Sequence, residues 1–342
     1  MEMLFSVVVP VYNMASYLET CVESVISQIT DNTPGMEVIL VDDGSTDQSG
    51  LICDKYEASI PFVKVIHQKN RGLLQARRSG YRHASGKYII NLDSDDILHE
   101  HAIEILAKII EQTKVDVIFY NLLVMDEFGS RPYYSNVFTD RDGCMLDRKQ
   151  IMEYYFTAEI PVITSMAGKV FKRECLDMSQ DYSAYGKMSM GEDTLQTAEV
   201  ISKASSFYYL NKNLYIYRIG SGMTTRFDPN YYKTFKRIIV DIFSREGFVD
   251  DEYRILYDEK IVLTGCRAIA QSKSASQMSY YERKMFVKSI VDDKAFKDSL
   301  GNINIAESTI KLKYKIILDF ISIRAFFLLH IALKIKRMGE CI

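Results

Sequence analysis

The sequence predicts an α/β fold, a doubly wound and mostly parallel sheet, followed by a helical C-terminal region. Two observations predict it. Short β-branched, apolar runs alternate with segments of helical period over the first ~120 residues, the pattern of right-handed strand–helix–strand units. Each of the first four runs also ends in a polar turn, at Tyr12, Asp42, Asn70 and Asp93. Ligands of such sheets sit beyond the carboxyl ends of the strands, so the four turns outline one cleft.

Residues 4–10 are apolar on consecutive positions, as in a strand covered on both faces. After Pro10-Val-Tyr-Asn13, Ser16 and Glu19 read as a capping box for a helix carrying Leu18, Val22, Val25 and Ile26. Met36–Val41 is the second strand, ending in Asp42-Asp43-Gly44-Ser45-Thr46-Asp47, with Ser45 and Gln48 placed to cap the next helix. Phe62–Ile66 is the third, leading through Asn70-Arg71-Gly72 into a helix that ends near Ala84. Lys87–Leu92 is the fourth. A helix over 99–112 with Ile103, Leu106, Ile109 and Ile110 on one face precedes a fifth strand, Val115–Tyr120.

Residues 122–146 are looser, as in hairpins or a mobile loop. A helix from Asp147 to Thr157, a short strand within Ala167–Lys172 and a helix opening at Gly191-Glu192-Asp193 follow. Phe207–Leu210 and Leu214–Arg218 read as a closing hairpin, residues 220–226 as a polar loop, and the chain from Pro229 to about 300 as successive helices. A length of 342 residues suggests two domains, placed at 1–225 and 226–342.

The net charge of −3 argues against nucleic acid as a partner. Cysteines 21, 53, 144, 175, 266 and 341 show neither paired metal spacing nor the density of a disulfide scaffold, which points to a reducing compartment. The N-terminus runs directly into a strand, and no secretory signal is expected there. Lys311–Arg337 is the most apolar stretch and carries seven basic residues and one acid, net +6, leaving −9 on the remainder. A spanning helix needs about 20 mostly apolar residues, and Asp319, Arg324 and His330 interrupt this one. A helix lying in the membrane interface, with its lysines on anionic lipid, fits better. Ile323, Phe326 and Leu333 fall near the polar face, so a buried core helix or a homodimer contact is the alternative.

Asp93 and Asp95 are separated by one residue, so on an extended segment they point the same way and could share Mg²⁺ or Mn²⁺. The alternative is a surface turn whose Asp and Ser cap the next helix. Glu192 and Asp193 at a helix start are favoured by the macrodipole, so capping stands beside catalysis. His67 and His83 read as structural or exposed, and tyrosines 133, 134, 182 and 185 either stack on sugars or pack a loop.

Val8-Val-Pro-Val-Tyr-Asn13, Val41-Asp-Asp-Gly-Ser-Thr-Asp47, Asn70-Arg-Gly72 with Ala76-Arg77, Leu92-Asp-Ser-Asp-Asp96 and Gly191-Glu-Asp193 occur in the order and spacing of the family 2 glycosyltransferases. Over about residues 3–225 the chain resembles the bacterial enzymes that build capsule, O-antigen or exopolysaccharide. The resemblance implies a Rossmann-like GT-A fold, a nucleotide-sugar donor, a UDP-sugar, and inversion of the anomeric centre with Mn²⁺ or Mg²⁺. Position by position, it implies that Pro10, Val11 and Tyr12 line the nucleobase, Tyr12 stacking on it, and that Asp42 accepts a hydrogen bond from uracil. Arg77, near Asn70 and Gly72, would face the nucleotide or its phosphates. Asp93 would hold the ribose or the metal-bound diphosphate, Asp95 the metal, and Asp96 would face the donor sugar. Asp193 would be the general base, oriented by Glu192.

Two departures stand at Ala15, where members often carry an acidic or polar residue, and at Arg78, where they carry Asn. A histidine that some relatives supply to the metal is missing between His101 and His330, so Arg218 is expected to face the diphosphate instead. The expected reaction moves a hexose or N-acetylhexosamine to a lipid-linked or polysaccharide acceptor, on the inner face of a bacterial cytoplasmic membrane. A non-catalytic sugar-nucleotide or glycan-binding subunit would tolerate loss of Asp95 or Asp193, yet both are present. A sugar nucleotidyltransferase would show a Gly-rich basic phosphate loop, which Pro10-Val-Tyr-Asn13 lacks.

Overall fold

A computed structural model describes residues 3–30, 33, 35–133, 137–157, 161–188, 190–219, 227–245, 248, 251–275 and 277–334. The chain forms two compact units, Met1–Ile151 with Ile160–Gly222, and Met152–Glu159 with Met223–Ile342.

The first unit is built on a ten-stranded sheet. β1 (Met3–Val11), β2 (Gly35–Asp42), β3 (Val63–His67) and β4 (Tyr88–Asn91) are parallel, with α1 (Ala15–Ile26), α2 (Ser49–Ser59) and α3 (Leu73–His83) as crossovers. β1 lies inside the sheet, and Phe5, Val7, Val8 and Val9 are fully buried. After the two-residue β5 (Ile97–Leu98) come α4 (Ala102–Thr113) and β6 (Val117–Asp126). Then follow β7 (Gly129–Pro132), which makes a hairpin with β6, β8 (Gly143–Leu146), α5 (Arg148–Thr157), which passes into the second unit at Met152, α6 (Pro161–Thr164), β9 (Lys169–Lys172), α7 (Glu192–Lys203) and β10 (Phe207–Arg218), the antiparallel partner of β8. The strand order is β3-β2-β1-β4-β9-β6-β10-β5. β9 runs antiparallel between β4 and β6, and β6 and β10 pair in parallel. The doubly wound, mostly parallel fold class holds.

Several local expectations differ. The Ser16–Glu19 capping box does not form. α1 starts at Ala15, and the N–H groups of Met14 and Ala15 donate instead to Ser49 Oγ (2.8 Å) and Asp47 Oδ2 (3.1 Å). Asp47 Oδ1 also accepts from Ser49 N–H at the start of α2 (2.9 Å), so one carboxylate from a neighbouring loop serves both helix starts. Ser45 and Gln48 make no side-chain cap there. The closing hairpin is one strand, β10, whose register against β6 shifts around Asn211–Asn213. Asn211 is held there by the Asn121 amide (2.9 Å) and Tyr209 hydroxyl (3.1 Å). The 220–226 loop and Tyr134 lie outside the described residues.

In the second unit α8 (Tyr231–Phe243), α10 (Tyr280–Val291), α11 (Lys294–Asn302) and α12 (Leu312–Ser322) pack on α9 (Arg254–Gln271), and α13 (Phe326–Lys334) packs on α10 and α12. Ile261, Val262, Cys266 and Ile269 of α9 are fully buried. The expected single helix over 311–337 is two, broken where Arg324 adopts φ +54°; residues 335–337 lie outside the described residues. His330 does not interrupt an outer face: it is buried, and its Nδ1 accepts from Arg283 Nε (3.2 Å). Ile323, Phe327, Leu328 and Ile331 are exposed. No described helix is long and apolar enough to cross a membrane.

Candidate active site

The parallel strands end together, and their turns are laced to each other. At the end of β1, Pro10 and Val11 are buried strand residues rather than a turn, and Tyr12 beyond them is 45% exposed. Asn13 (φ +54°) accepts from Thr46 N–H through Oδ1 (2.7 Å) and donates its own N–H to Ser45 Oγ (3.1 Å), joining the first turn to the second. Asp42, at the end of β2, accepts from Ser45 N–H (2.9 Å) and pairs with His67 Nδ1 (2.9 Å). Burial opposes ionisation of Asp42, but the Ser45 and His67 hydrogen bonds outweigh it and hold the carboxyl below its usual range.

The part played by Asp43 is signalled in the sequence only by the Asp42-Asp43 doublet. Buried, it accepts from the N–H groups of Arg71 (2.8 Å) and Gly72 (2.7 Å) and from Gln68 Nε2 (2.7 Å), and so shapes the Asn70–Gly72 turn. Gly44 (φ +73°) is needed because a Cβ there would lie 2.8 Å from the Asn70 nitrogen.

In the acidic segment after β4, Asp93 and Asp95 are part-exposed and Ser94 and Asp96 buried, on a turn rather than the extended run expected. Asp96 does not face the cleft. Its Oδ2 accepts from the Tyr215 hydroxyl (2.6 Å) and its Oδ1 from Arg218 N–H (2.9 Å), because the turn closed by Asp96 N–H to the Asp93 carbonyl (2.9 Å) directs it at β10. Burial, then the charge of Asp93, push its carboxyl up to about 8. Tyr215 also accepts from Asp93 N–H (3.2 Å); nothing local in the sequence marked this tyrosine.

Arg77 departs most from expectation. It is buried and faces two carboxylates rather than an open phosphate site. Nη2 donates to Asp93 Oδ1 (2.8 Å), and Nη1 donates to Asp193 Oδ1 and to Gln196 Oε1 (3.3 Å). Asp193 Oδ2 accepts from the Ser165 hydroxyl (3.1 Å) and Met166 N–H (3.2 Å). Burial works against its charge, yet the Arg77 guanidinium holds Asp193 below the usual carboxylate range. Its neighbour moves the other way: burial, then the Asp193 charge, push Glu192 up to about 7, and its buried Oε2 has no hydrogen-bond partner among the described residues. Adjacent carboxylates driven apart in this way are the arrangement of acid–base sites.

Arg78 supports this corner from behind. Fully buried, it pairs with both Glu199 oxygens (2.9 and 3.1 Å), and Tyr182 donates its hydroxyl to Glu199 (2.7 Å). Tyr182 is therefore buried and does not stack on a sugar; Tyr133 is 54% exposed. The Arg218 guanidinium lies over the Tyr17 ring (5.5 Å), and its buried Nε has no hydrogen-bond partner among the described residues.

Among the described residues no group of three or more His, Cys, Asp or Glu converges as a metal site. The turn leaves two part-exposed carboxylates, Asp93 and Asp95, since Asp96 is taken up by Tyr215 and the Arg218 N–H, and oxygen donors of this kind are the sort a hard cation takes. Asp93 and Asp95 would give two oxygen ligands, a hard cation taking the others from a diphosphate or water.

The chain is similar to proteins of known class. The family described as Glycosyl transferase family 2 matches residues 6–174. Glycosyltransferase GlyG of Streptococcus pneumoniae is 35% identical over 256 residues, 72% of this chain and 80% of that protein. The minor teichoic acid biosynthesis protein GgaB of Bacillus subtilis is 26% identical over 250 residues, 70% of this chain and 26% of GgaB. The crystal structure of S. aureus TarS 1–349 in complex with UDP-GlcNAc superposes with a TM-score of 0.59 at 18% identity, over 88% of this chain and 91% of that one. The fold is thus of the GT-A class. The chain belongs to glycosyl transferase family 2, and the protein is a glycosyltransferase.

Proposed function

We propose that this protein is an inverting, metal-dependent glycosyltransferase that moves a hexose or N-acetylhexosamine from a UDP-sugar to a lipid-linked or polysaccharide acceptor in bacterial cell-surface glycan synthesis. The observation that carries this reading is the Arg77 bridge, which joins the acidic turn after β4 to Asp193 at the start of α7. Tyr12 would stack on the nucleobase and Asp42 accept from it. Asn70 and Gly72, in the turn that Asp43 holds, would border the nucleotide.

Asp93 and Asp95 would hold Mn²⁺ or Mg²⁺, which when bound neutralises charge on the departing diphosphate. Arg218, with its unpartnered Nε, would meet the phosphate oxygens. Asp193 would take the proton of the attacking acceptor hydroxyl. It has three hydrogen bonds from Arg77, Ser165 and Met166, so a carboxylate with about four acceptor positions keeps one for the hydroxyl. Arg77 keeps it ionised, and Glu192 sits beside it as a second carboxylate titrating near neutrality. TarS bound to UDP-GlcNAc and the teichoic acid assignment of GgaB support this class of donor and product.

The exposed Ile323, Phe327, Leu328 and Ile331, flanked by Arg324 and Lys334, would rest the enzyme on the inner face of the cytoplasmic membrane, where a lipid-linked acceptor lies. The test is transfer or hydrolysis with a panel of nucleotide sugars, with and without Mn²⁺, for wild type, Asp95→Ala and Asp193→Ala. Full activity in chelator removes the metal, and unchanged transfer by Asp193→Ala removes the base.

A further inference from the structure

We propose that His67 is a positioning residue for nucleobase recognition: it clamps Asp42 against Asp54 of α2, and does so fully only when both ring nitrogens carry protons. The inference rests on the reading of Asp42 as the group that accepts from the base.

β2 and β3 pair so that Asp42 lies opposite His67. His67 Nδ1 is 2.9 Å from Asp42 Oδ2, and Nε2 is 2.8 Å from Asp54 Oδ1. A neutral imidazole has one N–H, so a ring hydrogen-bonded to carboxylates at both nitrogens is an imidazolium; a neutral ring would set a bare lone pair against one of them. Asp54 is exposed and free to turn away, whereas the Asp42 side chain is 8% exposed. Gly50 closes the other side, where a Cβ would stand 3.2 Å from Asp42 Oδ2 and 3.9 Å from His67 Cε1. The charged groups facing the ring are Asp42 from β2 and Asp54 from α2, and both raise its affinity for the proton. Cys53 of α2, near Asp42, is kept a neutral thiol by burial.

An imidazolium at this position keeps Asp42 a fixed, fully ionised acceptor. Uracil presents an N–H at N3, and cytosine presents a lone pair there, so a fixed carboxylate favours uracil. Loss of the His67 proton leaves one N–H, which stays on buried Asp42 while exposed Asp54 lets go; the ring is then braced from one side only, Asp42 is no longer clamped, and the preference for uracil falls.

The experiment is calorimetric binding of UDP and CDP with Mn²⁺ across pH 6 to 8.5, for wild type, His67→Asn and Asp54→Asn. The ratio of the two affinities cancels the pH dependence of the shared diphosphate. The wild-type preference for UDP should drop several-fold as His67 titrates. His67→Asn should show the reduced preference at every pH, while Asp54→Asn keeps the low-pH preference and moves the midpoint to lower pH. Imidazole ¹⁵N shifts of the wild type should report both nitrogens protonated above pH 6.5. A UDP preference that ignores pH, or that survives in His67→Asn, overturns the inference alone. No binding of either nucleotide at any pH overturns the reading of the cleft as well.

Discussion

Arg77 donates to Asp193 through one guanidinium nitrogen and to Asp93 through the other, so one buried cation joins the carboxylate at the start of α7 to the acidic turn after β4. The fork geometry matters because a lysine carries a point charge that cannot satisfy two separated carboxylates at once. Arg77→Lys should fold with a loss of about 1–3 kcal/mol, and lower kcat at least tenfold with a smaller change in donor KM. Urea unfolding and initial rates measure the two effects. A variant as active as wild type would show that the bridge is only structural.

Asp193→Asn preserves shape and removes the base. Positioned general bases contribute about 10²–10⁴ in rate, so kcat should fall by that factor while UDP binding, measured by calorimetry, stays within about threefold. Equal losses in binding and rate would place Asp193 with the donor instead.

The Glu192 carboxyl lies at about 7 in the folded protein against an ordinary 4.5. Between those values the folded chain binds more protons than the unfolded one, so the stability from this group is complete below pH 4.5 and is lost as pH rises through 7. Lys169, held down at about 7 by burial, acts in the opposite sense only above pH 7. Thermal midpoints of wild type should therefore fall relative to Glu192→Gln between pH 5 and 7. A constant difference across that range would refute the assignment.

Glu199 receives Arg78, Tyr182 and the Asp177 N–H and lies behind the cleft. Removing one partner of a buried pair leaves an uncompensated charge, so Glu199→Ala should cost about 3–5 kcal/mol. The folded fraction should bind UDP normally, which separates this network from the Arg77 bridge.

Phe327 and Leu328 are more than half exposed on α13. Sedimentation with phosphatidylglycerol-rich vesicles should carry the protein down, less so with pure phosphatidylcholine or at high salt. Phe327→Asp with Leu328→Asp should weaken that binding by roughly a hundredfold or more. Dimerisation in ultracentrifugation with no vesicle binding would assign the face to a second copy instead.

The sequence by itself determined the alternation of strands and helices, the alignment of the turns at Tyr12, Asp42, Asn70 and Asp93, and the carboxylates that open α7. These rest on periods of two and 3.6 residues, which the chain carries locally. Tertiary structure alone decided where the buried charges go. Arg77 finds Asp193 116 positions away, and Asp96 turns from the cleft to Tyr215, 119 positions away. No local period encodes a partner at that distance: a buried guanidinium or carboxylate takes whichever counter-charge or donor the packed fold brings to it, since leaving it bare in the interior costs too much. The same holds for the start of α1, capped by Asp47 from another loop, and for the break at Arg324 that divides the apolar C-terminal stretch into α12 and α13.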